Sequence, residues 1–284
     1  MMKTWLLVAL MVGASVFAPA QWFKYPSPGA PRTASGEVDL AGPTPRLANG
    51  KPDLSGVWMA EESTCGRVMG PTSLERLREL APPSLKCPVR MPTIPRTGFN
   101  IGFDLPDGLP YQPWLAKLVQ ERTANQAKDD PHIRCLPDLF LRAYGLPHYV
   151  KFVQTPGLLL MLNEMNGIYR QVFEDGRPLP KDPDPSWQGY SSATWSGDTL
   201  IIDTNGFRDD LWIDWDGSVI TEAAKLREQI RRPDFGHLEI EVTVDDPKAY
   251  TKPWTVTLRQ LFAADAELVD EICAENEKDS QRLK

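Results

Sequence analysis

From His148 to Phe262 the chain is a succession of short β-type runs, each ended by turn-forming residues, and this most limits what it can fold into. The runs are HYVKFVQ (148–154), LLLMLNE (158–164), IYRQVFE (168–174), YSSATW (190–195), TLIIDT (199–204), AKLREQIRR (224–232), HLEIEVTV (237–244) and WTVTLRQLF (254–262). Thr-Pro-Gly, Met-Asn-Gly, Ser-Gly-Asp and Pro-Asp-Phe-Gly separate several of them, which is turn chemistry. No gap is long enough for a crossover helix, so neighbouring strands are expected to pair antiparallel. With LSGVWM (54–59) the count reaches about nine strands. A curled antiparallel meander or an up-and-down β-barrel is the economical way to leave few open edges.

The last runs alternate cleanly. Leu238, Ile240, Val242 and Val244 share one face, opposite His237, Glu239, Glu241 and Thr243. Leu226 and Ile230 likewise oppose Arg227 and Arg231, and Trp254, Val256 and Leu258 oppose Thr255, Thr257 and Arg259. The apolar face needs a core, so the Arg/Glu ladder is expected outside as solvated ion pairs, each contributing little.

Upstream the character differs. Residues 1–20 combine Lys3, an apolar run from Trp5 to about Phe17 and Ala18-Pro19-Ala20, the pattern of a secretory leader cleaved near Ala20. A secreted or periplasmic location follows. No later stretch approaches the roughly 18 apolar residues of a membrane-spanning helix. Residues 21–52 are a Pro/Gly-rich arm, and residues 53–284 form one mainly-β domain. Its irregular and helical part is 53–147, its meander 148–264. SLERLREL (73–80) reads as a short helix and PWLAKLVQERTANQAKDD (113–130) as a longer one.

Removing Lys3 lowers the basic count from 31 to 30 against 38 acidic side chains, a net charge of about −8. That acidic, mixed-sign surface argues against nucleic acid as a partner. Cys65, Cys87, Cys135 and Cys273 allow three disulfide pairings. Cys65–Cys87 and Cys135–Cys273 are expected, the first closing a Pro-rich loop and the second tying the C-terminal segment to the body.

Chemistry has few obvious seats. There is no GxSxG, HExxH, GxGxxG or GxxxxGK[ST]. Three histidines on different elements argue against a His triad or three-His zinc centre. The acidic loop NGFRDDLWIDWDGS fails the EF-hand template: started at Asp214, its sixth position is Val219 and its twelfth Lys225. No metal and no cofactor are expected. What remains is an aromatic–acidic rim at a barrel mouth, with Trp187, Tyr190, Trp212 and Trp215 as ligand-binding residues beside Asp209, Asp210 and Asp214. Indoles next to carboxylates suit a small apolar or polyol ligand, and a desolvated carboxylate suits acid/base work. Glu164 and Arg170 are further catalytic candidates, since a charge ending an apolar strand needs a partner. A small-ligand barrel is thus the leading function, with a cofactor-free lyase, isomerase or hydrolase, or an envelope interaction protein, as alternatives.

DLSGVW (53–58) before a meander resembles the Gly-x-Trp opening of lipocalin-like barrels. The resemblance implies that Gly56 and Trp58 are structural, with Trp58 packed at the barrel's closed end. The chain departs from that pattern in the roughly ninety residues between Trp58 and the next strand. Together, KPDLSGVW, RCLPD, EDGRPLPKDPDPSWQGYSSATWSGDTLIIDTNGF and DDPKAYTKPW resemble a large set of exported bacterial proteins of unassigned function. This second resemblance implies a single-domain secreted architecture and carries no activity.

Overall fold

The computed structural model describes residues 26–61, 100–102, 105–146, 148–273 and 275. The leader, the helix expected at 73–80, and Cys65 and Cys87 lie outside these residues.

Nine strands close into a barrel in the order β1-β11-β10-β9-β6-β5-β4-β3-β2. They are β1 (Gly56–Ala60), β2 (Val150–Thr155), β3 (Leu158–Asn163), β4 (Tyr169–Phe173), β5 (Tyr190–Ser196), β6 (Thr199–Asn205), β9 (Lys225–Arg231), β10 (His237–Asp245) and β11 (Trp254–Phe262). Each falls on a run expected from alternation and turn chemistry. Two short strands, β7 (Leu211–Trp212) and β8 (Val219–Ile220), form a separate ribbon inside the β6–β9 connection.

One pairing corrects the antiparallel expectation. β4 and β5 run parallel, through Val172↔Ser191 and Phe173↔Ser192. The segment between them reaches back along the barrel without a crossover helix, held by Ser192 Oγ donating to Arg177 O and Asn205 Nδ2 donating to Pro180 O (2.5 and 2.8 Å). A proline-rich strap therefore does what the rule assigns to a helix.

Alternation decides what faces inward. Val150, Phe152, Leu159, Met161, Val172, Leu200, Ile202, Ile230, Leu238, Ile240, Val242 and Val244 are each fully buried. The opposite face carries the expected ladder: Arg227–Asp203 and Arg231–Glu239, both at 2.7 Å, with Gln229 donating to Glu241 at 2.5 Å.

The arm closes one end. Arg46 pairs with Asp198 on the β5–β6 turn and Arg32 with Asp265 (both 2.6 Å), while Leu40 O and Gly42 O accept from Gly236 and Phe235. Trp58 is buried there, its indole donating to Leu54 O, with the Arg232 guanidinium 4.8 Å from its ring. Burial lowers Arg232 to about 10, against Asp53 and Asp234. Gly56 holds φ +145, and a Cβ there would lie 2.7 Å from the Phe262 ring. Glycine is therefore required by both backbone and space.

The other end is built up. Helix α1 (Pro113–Ala124) docks on the β10–β11 loop through Gln112 N donating to Ala249 O at 2.8 Å. It ends at Ala124 rather than Asp130, because Gln126 and Ala127 take positive φ and Ala127 N–H caps Arg122 O. A 3-10 turn (Pro131–Arg134) and the one-turn helix α2 (Phe140–Ala143) then lie over the lumen. Cys135, at the end of the 3-10 turn, is disulfide-bonded to Cys273, as expected. No helix among the described residues is long and apolar enough to cross a membrane.

Candidate functional site

Four of the barrel strands each turn a polar residue inward so that the four side chains meet in one cluster in the largely apolar lumen. On β9, Glu228 shares the inward parity of Leu226 and Ile230; on β4, Arg170 shares that of Val172. Ser191 and Thr204 sit in phase with Ala193 and Ile202 on β5 and β6. Register then gathers them: Ser191 pairs with Thr204, Ile202 with Glu228, and Met161 with Arg170. The parallel β4–β5 pair brings Arg170 beside Ser191.

Arg170 and Glu228 form a bidentate ion pair, with side chains only 4% and 1% exposed. Arg170 Nη1 donates to Glu228 Oε1 at 3.0 Å and Nη2 to Oε2. Arg170 Nε donates to Ser191 Oγ at 3.1 Å and Nη2 to Thr204 Oγ1 at 2.8 Å; those two hydroxyls are 2.9 Å apart. Tyr144, the C-terminal cap of α2, reaches down from the cap and donates its hydroxyl to Glu228 Oε1 at 3.1 Å. Burial works against the Arg170 charge, but the Glu228 carboxylate outweighs it and holds the guanidinium above its ordinary range. Burial, and then Glu228, push the Tyr144 phenol well above its own. The cluster is thus a buried, bidentate ion pair ringed by hydroxyls.

A second network lies in the cap. Arg142 donates to both oxygens of Asp130 (2.8 and 2.6 Å) and lies 3.3 Å from Asp138, which also binds His132 Nδ1 at 2.6 Å. Asp214 is fully buried on the turn after β7. Its Oδ1 accepts from Ser218 N at 3.0 Å, while Oδ2 is buried without a hydrogen bond. Burial, then Asp216, raise the Asp214 carboxyl to about 7, against Ser218 and Arg142. Asn100 Nδ2 donates to Asp216 Oδ2 at 2.6 Å, and the Tyr111 hydroxyl meets Ser218 Oγ at 2.6 Å.

The residues expected to form one rim divide among several neighbourhoods. Asp210 accepts from Arg122, whose guanidinium lies 4.4 Å from the Trp212 ring, and Trp212 is buried. Asp209 is raised by burial and by the neighbouring Glu222. Trp187 stacks under Arg208 at 4.2 Å; Tyr190 is exposed on the outer face, against Gly206. Trp215 is half-buried beside the buried Asp214 and Asp216. Glu164 stands elsewhere, after β3, accepting from Tyr149 N at 2.7 Å and raised chiefly by burial. Asp246 is a turn builder, accepting from Thr221, Lys248 and Ala249.

Of the expected residues, Arg170 alone lies in the luminal cluster. Glu228, Ser191, Thr204 and Tyr144 escape composition and motif reading. The signal for the first three was parity: a polar residue in phase with buried apolar neighbours has to find a partner inside. Comparison with known proteins finds no family model, no curated protein and no solved structure that matches this chain.

Proposed function

We propose that the protein is an exported, lipocalin-like barrel that binds a small molecule with an apolar body and a hydroxyl or N–H head. The head takes the place of the Tyr144 hydroxyl on Glu228. The observation that carries this reading is the fully buried Arg170–Glu228 pair with Ser191 and Thr204 in an apolar lumen. Replacing a buried ion pair by apolar side chains of similar volume is often neutral or stabilising, so folding alone gives little reason to keep it. Recognition gives one. Arg170 fixes the Glu228 carboxylate, and the acceptor it presents is met by a residue of the cap rather than of the barrel.

With the Trp58 end covered by the arm, the ligand enters where α2 and the β6–β9 connection lie. In this reading Trp212 and Trp215 belong to the entrance. Export is supported by the leader-like pattern at 1–20 and by the Cys135–Cys273 disulfide.

The test is native mass spectrometry of the chain purified without detergent from its own envelope, with Tyr144→Ala and Glu228→Gln alongside. Wild type should carry one small molecule. Tyr144→Ala should take up added p-cresol with one-to-one stoichiometry, and Glu228→Gln in that background should lose it. A wild-type chain that carries nothing, with p-cresol uptake no better in Tyr144→Ala, defeats the proposal.

A second reading, a cofactor-free acid/base enzyme, has Asp214 in its favour: its carboxyl, raised to about 7, is poised for proton transfer at neutral pH. It requires the cap to open to substrate. Asp214→Asn decides it, by removing any turnover while leaving ligand retention intact.

A further inference from the structure

The C-terminal segment crosses the barrel at the β3–β4 turn and is fastened there at several points. Met165 and Glu271 form a parallel bridge, Asn166 N donates to Glu271 O at 2.8 Å, and Cys273 N donates to Asn166 Oδ1 at 3.0 Å. Cys273 is bonded to Cys135 just beyond. This docking sets the Glu271 carboxylate against two residues of the barrel's end, His148 before β2 and Glu164 after β3. His148 Nδ1 is 3.1 Å from Glu271 Oε2 and 3.9 Å from Glu164 Oε1. One ligand atom from each of the three residues falls within 4.8 Å of the others.

The structure assigns a divalent-cation site to His148, Glu164 and Glu271. Two observations carry it. The first is spacing: a zinc ion bound at about 2.0–2.1 Å with tetrahedral angles needs donor atoms roughly 3.3 Å apart. The two His148 separations, 3.1 and 3.9 Å, bracket that value and all three donors fall within 4.8 Å, so modest side-chain adjustments close the site. The second is independent of the cluster's composition. The Glu164 side chain is only 9% exposed, and its Oε2 is buried with no hydrogen bond. A buried carboxylate oxygen without a partner is costly, and a cation is the partner that removes the cost.

The donor set narrows the metal. One imidazole with two carboxylates suits zinc and its first-row neighbours better than calcium, which takes 6–8 oxygens. Three protein ligands leave a position open, and the 45% exposure of Glu271 gives it access to water or a small anion. The ion would join barrel and tail, so that metal and disulfide clamp the same segment.

Calorimetry with ZnCl2 on the EDTA-treated, disulfide-bonded full chain tests this, beside His148→Gln and Glu271→Gln. One equivalent should bind the wild type, with a melting temperature that climbs with the logarithm of free zinc. Each variant should lose at least about tenfold in affinity, since even residues that only support metal ligands cost that much. Glu271→Gln changes a half-exposed side chain and should melt like the metal-free wild type, which separates loss of binding from loss of folding. Cobalt should give visible absorption that disappears in His148→Gln. Equal zinc affinity in all three proteins, absence of heat and of any melting shift, or a response to calcium alone would each overturn the assignment.

Discussion

Two buried charge networks meet at α2, and they are built on opposite principles. The luminal one sets a single guanidinium, Arg170, against a single carboxylate, Glu228, and surrounds both with hydroxyls. The cap sets Arg142 among Asp130 and Asp138 directly and Asp214 at longer range, leaving Arg142 Nε and Asp214 Oδ2 without hydrogen bonds. In the balanced pair each charge offsets the other. An acidic excess in a dry place relieves itself by holding a proton, and Asp214 is where that occurs.

The largest expected effect breaks the balanced network. Arg170→Met leaves Glu228 buried without its cation and should cost about 3–5 kcal/mol, read from urea unfolding. Adding Glu228→Leu should recover most of that loss. A double variant as unstable as the single one would mean the lumen relies on something other than the pair.

The next effect belongs to the cap and depends on pH. The folded-state value of Asp214, about 7, lies above that of an unfolded carboxylate, so the folded chain holds the proton more tightly. Its contribution to stability is therefore full below about pH 4 and is lost as pH rises through 7, by roughly 3–4 kcal/mol for one such group. Carboxylates held low by arginine or lysine partners, such as Asp198 and Glu267, lose their contributions only at lower pH. Melting curves between pH 4.5 and 8 thus carry the Asp214 slope together with those of the other raised carboxyls, Glu164, Glu174 and Asp209, and the Asp214→Asn difference extracts it. Asp214→Asn should flatten the slope, whereas the double variant Arg170→Met/Glu228→Leu, which removes both luminal charges, should leave it unchanged. If both variants keep the wild-type slope, the contrast between the networks fails.

Smaller effects sharpen it. Ser191→Ala strips Arg170 Nε of its acceptor and should cost about 1–2 kcal/mol by the same unfolding measurement. Arg227→Ala, on the solvated face, should cost under about 1 kcal/mol and less still in high salt.

Strand positions were legible because they rest on local rules: alternation at period two, and glycine, proline and asparagine at the breaks. The outer ladder was legible for the same reason, as the partner face of Leu238, Ile240 and Val242. The parallel β4–β5 pair was not. Nothing local in EDGRPLPKDPDPSW says that a strap without a helix will carry the chain back along the barrel. Arg170 drew attention because a charge among Ile168, Val172 and Phe173 needs compensation, yet its partner is 58 positions away. Finding Glu228 requires reading its parity together with the β6–β9 register, and Tyr144 follows only once the cap is placed. Asp214 was singled out for its indole neighbours, whereas what sets its chemistry is burial in the DWDG turn beside Ser218 and Asp216. There Gly217, at φ +88, leaves room for Arg122: a Cβ would lie 2.5 Å from its side chain. His148, Glu164 and Glu271 carry no recognisable spacing, since they meet only because the tail returns.

The Cys135–Cys273 bond also imposes an order of events. Its two ends are separated by 138 positions, and strands β2 to β11 lie between them. As a chain is delivered from its N-terminus, Cys65, Cys87 and Cys135 all arrive before eight of the nine barrel strands, and Cys273 after the last of them. For that whole interval the correct partner of Cys135 does not yet exist, while two incorrect ones do. Clean oxidation therefore depends on timing: an oxidant acting early traps Cys135 with the wrong thiol, and one acting after the barrel has closed finds it already facing the right one.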